Sequence, residues 1–309
     1  MSLIIRTYKK NFLIRYDFDP AIPYYSVSDF NGLNVKEETF LNVNNKKIHY
    51  FIYQANKFNK HKIVLFLPGI GPGHKAYLKQ INEIAKAGFK VLTLDYEGCG
   101  YSEGERLPSI YNPTKDVISL LSYLHIDEEV IIVGHSLGAF TALNVINRIN
   151  SIRKAVIISG FTTVRNGMIS FTKSKYIANK IARFEHRHNK EFPLLDNEAY
   201  LKDTTDHLLF IHSKDDPKCS YKYNIQEVLK FNNTNIYFYI EKDKKHNPTY
   251  TVDAVNYKDQ IIDTYFNKLM NNEFKSIEER KAYFKDVSLE KLTALDRKVI
   301  IKIINFIED

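Results

Sequence analysis

Runs of apolar residues recur along most of the chain, and helical patterns separate the majority of them. Strands are predicted at 62–67, 90–94, 130–133, 154–159, 207–212 and 235–240, and the first of these is apolar on both faces. Helical patterns between them are predicted to end near residue 87 and to cover 113–125, 137–150 and 219–231. Because strands that alternate with helices form βαβ units, the pattern predicts a mostly parallel central sheet with helices on both faces.

The two ends of the chain have different patterns. Residues 1–34 are aromatic, mixed in charge and interrupted by two prolines, so we expect a lead-in segment that lies on the core. Residues 37–53 predict two strands around the turn Asn44-Asn45, and helices at about 252–270 and 292–307 close the chain. We expect residues 1–309 to form a single domain.

The most informative local pattern is a strand, a sharp turn and a helix between Glu129 and Asn150. The turn has the form G-x-S-x-G, with glycines on both sides of Ser136. A nucleophile on such a turn is held in a strained conformation, and glycine fits where a side chain would meet the returning backbone. An isolated match is compatible with an ordinary flexible turn, but this one joins a buried strand to a helix. The sequence therefore predicts Ser136 as a nucleophile.

A serine nucleophile needs a base, and the base needs an orienting acid. His246 follows the last predicted strand by a few residues, which places it at the same edge of the sheet as Ser136. His135 is expected to point away from Ser136. If His212 were the base, the chain order of an acid followed by a base downstream of Ser136 would not be met. A solvated loop histidine is the alternative for His246, which we nevertheless predict as the base.

Two aspartates, Asp215 and Asp216, follow the strand that precedes His246. Either one gives the chain order Ser…Asp…His, with one helix and one strand between the acid and the base. We prefer Asp216 as the acid, and expect Asp215 to cap the following helix or to face solvent.

Acyl transfer also needs backbone N–H groups that stabilise the negative oxygen of the intermediate. We predict the N–H of Leu137, at the start of the helix, and that of Ile70, in the loop after the strand 62–67. The alternatives for the loop 68–73 are a plain glycine-rich turn and a phosphate cradle, and the latter lacks its G-K-[ST] ending.

Glycine positions indicate where a ligand binds. Of the 12 glycines, eight lie in three clusters, each directly after a predicted strand: 69, 71 and 73; 98, 100 and 104; 134 and 138. The carboxyl ends of parallel strands gather at one edge of a sheet, where ligands of open α/β sheets bind. The pocket is therefore expected at that edge.

Residues 161–205 lose the strand and helix alternation, apart from a helical stretch near 173–184. Packing without a role in binding is one interpretation of this segment, and contact with a substrate is the other. Some of its aromatic and basic residues would suit an acyl chain beneath an anionic or polar head: Phe171, Tyr176, Arg183, Phe184 and Arg187. The H-x-H at 186–188 is more typical of a charged surface than of a metal site, so no metal is predicted.

Composition and charge argue against several other classes of protein. The net charge is +8, but the lysines are scattered without a basic block, so nucleic-acid binding is not predicted. Cys99 and Cys219 give neither a disulfide framework nor a metal spacing. We see no signal-peptide pattern and no apolar stretch long enough to cross a bilayer. We therefore predict a cytoplasmic protein without a cofactor. Transient contact of this protein with a membrane surface is kept as an alternative.

These motifs resemble the α/β-hydrolase superfamily, and within it the monoacylglycerol lipases, bacterial lysophospholipases and serine aminopeptidase-like hydrolases. The resemblance covers about residues 47–250 and the last helix, and rests on five segments: Pro68–Gly71, Asp95–Gly104, Gly134–Gly138, Asp216 and His246. It implies the α/β-hydrolase fold, the roles predicted above for the triad and for Ile70 and Leu137, and a cap at 161–205. Three positions depart from the family pattern: Pro68 replaces a histidine, and Ser213 and Lys245 replace glycines.

The sequence thus predicts a serine hydrolase that cleaves a small or medium acyl ester, with monoacylglycerol or lysophospholipid as examples, through an acyl-enzyme. An aminopeptidase, a thioesterase or an acyltransferase would share the triad, because the pocket decides between these activities. The alternative from another class is a ligand-binding protein that keeps the fold without turnover.

Overall fold

A computed structural model describes residues 2–56, 61–192 and 196–309. Within these residues, one sheet has the strand order β1-β2-β4-β3-β5-β6-β7-β8. Strands β3 to β8 are mutually parallel, whereas β2 is antiparallel to both β1 and β4. The strands are β1 (Leu33–Leu41), β2 (Lys47–Ala55), β3 (Lys62–Leu67), β4 (Lys90–Leu94), β5 (Glu129–His135), β6 (Lys154–Ile158), β7 (His207–Ser213) and β8 (Ile236–Glu241). The predicted, mostly parallel sheet is confirmed.

Helices cover both faces of this sheet, also as predicted. The helices of the described residues are α1 (Leu3–Phe12), α2 (Leu78–Lys86), α3 (Asn112–Leu124), α4 (Leu137–Ile146), α5 (Val164–Thr172), α6 (Lys175–His188), α7 (Asp196–Asp203), α8 (Ile225–Leu229), α9 (Val252–Met270), α10 (Ile277–Tyr283), α11 (Leu289–Leu292) and α12 (Arg297–Glu308). Residues of α2 and α12 pack on one face, and residues of α3, α4, α7 and α8 on the other. In β5, Ile131 and Val133 face the first layer, and Val130 and Ile132 face the second. Two buried faces explain the uninterrupted apolar runs of the central strands.

Several boundaries differ from those predicted. Strand β1 begins at Leu33, before the start of the predicted hairpin. Because it lies at the edge of the sheet and its residues 34–37 are exposed, no apolar pattern marks its first part. The closing helix is divided into α11 and α12, because Asp296 caps a new helix by accepting hydrogen bonds from the N–H groups of Lys298 and Val299. None of the helices in the described ranges is long and apolar enough to span a bilayer.

The segment expected to form a cap contains α5, α6 and α7, of which only α6 was predicted. Apolar residues of α5 and α6 form one cluster with residues of α1 and with Leu137 and Phe140 of α4. Arg15, which follows α1, donates hydrogen bonds to the carbonyl groups of Gly100, Ser102 and Gly104. The N-terminal segment therefore contacts both the segment 161–205 and one of the three glycine loops.

One buried ionisable group joins α1 to α6. Glu185 of α6 is fully buried and accepts hydrogen bonds from the hydroxyl of Tyr8 (2.7 Å) and the N–H of Ile110 (3.3 Å). Burial raises the pKa of Glu185 to about 7, although these hydrogen bonds oppose the shift. The neutral acid is therefore the form that this packing favours.

The sign of the resulting pH dependence follows from linkage. Since folding raises the pKa of Glu185 from 4.5 to about 7, the folded state holds an extra proton between those values, and the stabilisation declines as pH rises through about 7. A shift of this size corresponds to roughly 3 kcal/mol.

We expect Glu185→Gln, which mimics the neutral acid, to melt near the wild-type temperature at pH 5 and several degrees above it at pH 8. Thermal melts of both proteins across this range measure the difference. Glu105→Gln alters an exposed residue and is the matched control, for which no such trend is expected. A constant difference between wild type and Glu185→Gln would contradict the assignment.

Candidate active site

Ser136 lies at the turn between β5 and α4, in a backbone conformation that few non-glycine residues adopt, with φ 55° and ψ −115°. The turn packs tightly against its neighbours. A Cβ on Gly134 would lie 2.3 Å from the carbonyl oxygen of Gly138, and one on Gly138 would lie 2.0 Å from that of Leu67. Both positions therefore require glycine, and their close packing offsets the strain at Ser136.

The structure brings Ser136, His246 and Asp216 together. The Oγ of Ser136 lies 2.9 Å from Nε2 of His246, and Nδ1 of His246 lies 2.8 Å from Oδ2 of Asp216. Because a carboxylate only accepts, Nδ1–H of a neutral His246 donates to Asp216, and Nε2 accepts from the serine hydroxyl. The three residues are 9%, 7% and 5% exposed. This arrangement allows a proton to pass from the hydroxyl to the imidazole.

Asp216, rather than Asp215, contacts the histidine. Its Oδ1 accepts from the N–H groups of Lys218 (2.8 Å) and Cys219 (2.9 Å). Burial would raise the pKa of Asp216, but His246 and these hydrogen bonds outweigh it and hold the pKa below its usual value. Asp215 is exposed and accepts from the Ser213 hydroxyl. Asp216 therefore stays ionised beside the imidazole.

The predicted oxyanion donors line the same cavity as Ser136. Leu137 is the first residue of α4, so its N–H has no partner inside the helix, and Ile70 follows β3. Within the described residues, neither N–H has a recorded acceptor. Both N–H groups are thus available to an oxygen bound at Ser136.

A buried carboxylate fixes the loop that contains Ile70. Asp95, at the end of β4, accepts hydrogen bonds from both the backbone N–H and Nδ1–H of His74, and from the N–H of Tyr101. A Cβ on Gly73 or Gly100 would lie only 2.0 or 2.3 Å from a carboxylate oxygen of Asp95. Two of the glycine clusters therefore pack around a single side chain, whose role no local sequence pattern predicts.

A second network connects this loop to the base. The N–H of Gly69 donates to the hydroxyl of Tyr77 (3.0 Å), which is 2.9 Å from Nδ1 of His135, and Nε2 of His135 is 2.9 Å from the carbonyl oxygen of His246. A carbonyl only accepts, so Nε2–H of His135 donates and Nδ1 accepts from Tyr77. Burial lowers the pKa of His135 to about 3, which keeps the ring neutral. His135 lines the same cavity as Ser136, with its ring centroid 4.9 Å from that of His246, and it holds the backbone of His246.

Cys219 completes a group of possible metal ligands with Asp216 and His246. Both nitrogens of His246 are already hydrogen-bonded, and burial raises the pKa of Cys219 well above its usual value, which disfavours the thiolate a metal requires. The group fits a hydrogen-bonded triad better than a metal site. In the predicted H-x-H, Nδ1 of His186 and Nδ1 of His188 contact different backbone carbonyl groups.

The Ser136 cavity has a volume of about 380 Å³. Six of its large apolar side chains come from α1, the segment after it, the loop before α3, and the segment 161–205: Phe12, Tyr16, Ile110, Phe161, Met168 and Phe171. Of the five cap residues considered from the sequence, only Phe171 lines the cavity, because Phe184 packs against α1, and Tyr176, Arg183 and Arg187 are exposed. The contribution of α1 was not predicted, since no local motif marks it.

Comparison with known proteins identifies the family. A family model described as serine aminopeptidase, S33, matches residues 59–234, more than half of the chain. The chain belongs to this family, and with it to the α/β-hydrolase superfamily. The resemblance stated from the motifs is confirmed.

Curated relatives of this serine aminopeptidase family member have several activities. Lysophosphatidylserine lipase ABHD12 from Bos taurus is 28% identical over 179 residues, which are 53% of this chain and 44% of that protein. A proline iminopeptidase from Clostridioides difficile is 32% identical over 100 residues, 31% of this chain and 33% of that protein. The matched parts span less than half of these relatives.

Solved structures share the fold at low identity. The esterase Pf2001 from Pyrococcus furiosus has a TM-score of 0.60 and 14% identity, covering 88% of this chain and 98% of that one. An acylaminoacyl peptidase from Pyrococcus horikoshii has a TM-score of 0.56 and 17% identity, covering 71% of this chain and 38% of that one. At this identity the similarity concerns the fold alone.

One departure from the family pattern has a structural compensation. Lys245, where the family commonly has glycine before the base, adopts a positive φ of 47°. Its Nζ lies 2.5 Å from a carboxylate oxygen of Asp259, and its N–H donates to Asp215 (3.3 Å). These contacts offset the left-handed backbone that glycine would adopt without strain.

We expect Tyr77→Phe to lower kcat on an ester by about fivefold to a hundredfold, because it removes two buried hydrogen bonds, to Gly69 and His135, each worth roughly 0.5–1.5 kcal/mol. KM should stay within twofold, since the hydroxyl positions Gly69 and His135. Tyr200→Phe removes a hydroxyl bonded to Asp206 and is the control. Equal effects of both variants, or a change confined to melting temperature, would contradict a positioning role for Tyr77.

Proposed function

We propose that this α/β-hydrolase family member is a serine hydrolase that cleaves a carboxylic ester through an acyl-enzyme at Ser136. The observation that supports the proposal most directly is His246, which hydrogen-bonds Ser136 through one nitrogen and Asp216 through the other. Ordinary binding sites have no need of a buried hydroxyl held against an oriented imidazole.

In the proposed reaction, Oγ of Ser136 attacks the ester carbonyl carbon while its proton passes to Nε2 of His246. The N–H groups of Ile70 and Leu137 stabilise the oxygen that becomes negative. The carbon–oxygen bond of the ester breaks, and His246 gives its proton to the leaving alcohol. Water then attacks the acyl group with His246 as base, which releases the acid and restores Ser136.

Asp216 has an electrostatic role in this scheme. Its carboxylate keeps the proton of neutral His246 on Nδ1 and stabilises the imidazolium that forms during attack. His135, which lies beside the base, is neutral, so it places no second positive charge next to the imidazolium.

The cavity favours an acyl ester of small or medium size. A volume of about 380 Å³ lies near the lower end of the range for sites that bind small ligands. Its apolar wall suits an acyl chain, which agrees with the lipase among the relatives and the esterase among the structural neighbours. Hydrolysis of a peptide amide is the second candidate, favoured by the peptidase description of the family.

We predict that a fluorophosphonate probe adds one phosphonyl group to the wild type and none to Ser136→Ala, measured by intact mass. Turnover of esters with different acyl lengths, compared with a matched amide and thioester, then identifies the preferred bond. Tight retention of such esters by the wild type, with neither an adduct nor turnover, would favour the ligand-binding alternative.

The two neighbouring aspartates provide a matched pair. We expect Asp216→Asn to lower kcat by roughly 10³-fold or more, because an amide at this position favours the wrong histidine tautomer. Asp215→Asn should change kcat by less than about threefold, since its carboxylate does not contact His246. Steady-state kinetics on one ester measure both, and comparable losses would contradict Asp216 as the acid.

A further inference from the structure

The Ser136 cavity has charged residues on its wall as well as apolar ones. Lys218 and Lys258 line it, together with Asp259 and Asp263. Asp259 is paired with Lys245, and Asp263 is exposed. The lysine that stands out is Lys258 of α9, because it is partly buried and lies where several cavities meet.

Lys258 lines three adjoining cavities. The first contains Ser136; a second, of about 330 Å³, shares Lys218, Lys258 and Ile262 with it; and a small third one shares His135, Asn247 and Lys258. An ammonium group at such a junction contacts whatever extends from Ser136 into the second cavity. The position is therefore suited to recognition of a substrate group beyond the reacting bond.

The charge of Lys258 is not matched by the protein. Within the described residues, no carboxylate lies within 4 Å of its Nζ, the distance of an ion pair. The Nζ lies 3.5 Å from Oδ1 of Asn247 and 5.2 Å from the ring centroid of Tyr250. Burial lowers the pKa of Lys258, and Asp259 only partly opposes this. A partly desolvated cation without a counter-ion is costly, and an anionic ligand would remove that cost.

The contact with Asn247 indicates which part of the substrate would reach Lys258. Asn247 directly follows His246, which in the proposed reaction protonates the leaving alcohol. The alcohol portion therefore leaves on the His246 side, whereas the apolar wall formed by α1 and the segment 161–205 suits the acyl chain.

We propose that the substrate is an ester whose alcohol portion carries an anionic group, a phosphate or a carboxylate, and that Lys258 binds this group. The inference rests on the proposed ester hydrolysis and assigns the substrate class of the same site. A charge-assisted hydrogen bond between the ammonium and the anion supplies the recognition. Lys218, exposed on the wall shared by the first two cavities, adds a second positive charge.

The test compares three esters of one decanoyl chain, with glycerol, glycerol 3-phosphate or choline as the alcohol. Below their critical micelle concentrations, we expect the wild type to prefer the phosphate ester over the neutral one by about tenfold or more in kcat/KM. Lys258→Met should remove most of this preference, measured as the ratio of kcat/KM for the phosphate ester to that for the neutral ester. Lys302→Met, which changes an exposed lysine on α12, should keep it.

A second measurement needs no variant. Glycerol 3-phosphate should inhibit wild-type hydrolysis of the neutral ester at concentrations where glycerol does not, and this inhibition should weaken as salt increases. Inorganic phosphate as a third inhibitor separates recognition of the anion alone from recognition of the whole alcohol portion. This comparison decides the proposal even where Lys258→Met fails to fold.

The outcomes are distinguishable. Turnover of the neutral ester with no preference for the phosphate ester, or a preference that survives in a folded Lys258→Met, overturns the role of Lys258. Preference for the choline ester overturns it as well, and would assign the polar end of the cavity to Asp259 and Asp263. Absence of turnover with every ester, together with no fluorophosphonate adduct, overturns the proposed hydrolase and this inference with it.

Discussion

The close approach of α4 to the ends of β3 and β5 is the constraint on which the site depends. Room for a Cβ is lacking at both Gly134 and Gly138, so the first turn of the helix lies directly against the sheet. This packing holds Ser136 at φ 55° and leaves the N–H of Leu137 without a helical partner. Looser packing would allow the serine backbone to relax, and the hydroxyl would lose its alignment with His246.

Around this turn, buried polar groups set the positions of the loops. Asp95 packs two glycine loops together, while Tyr77 and His135 join the loop of Ile70 to the backbone of His246. Burial keeps His135 neutral, whereas hydrogen bonds keep Asp216 ionised. Hydrogen bonds of these buried side chains thus hold the loops around Ser136 in one arrangement.

Much of this arrangement could be predicted from the sequence, because its signals are local. The central strands are apolar on both faces, and the elbow glycines are two residues from Ser136 in each direction. The order Ser…Asp…His pointed to residues that the fold brings together. The rest depends on contacts between distant segments: the exposed first part of the edge strand β1 has no apolar pattern, and no motif shows that α1 lines the cavity or that Tyr77 meets His135.

The measurement that tests the central claim most directly is a crystal structure of the protein after reaction with a fluorophosphonate. The account predicts phosphorus bonded to Oγ of Ser136, with the phosphoryl oxygen within hydrogen-bonding distance of the N–H groups of both Ile70 and Leu137, and His246 still paired with Asp216. Phosphorus on another side chain, or a phosphoryl oxygen directed away from both N–H groups, would contradict it.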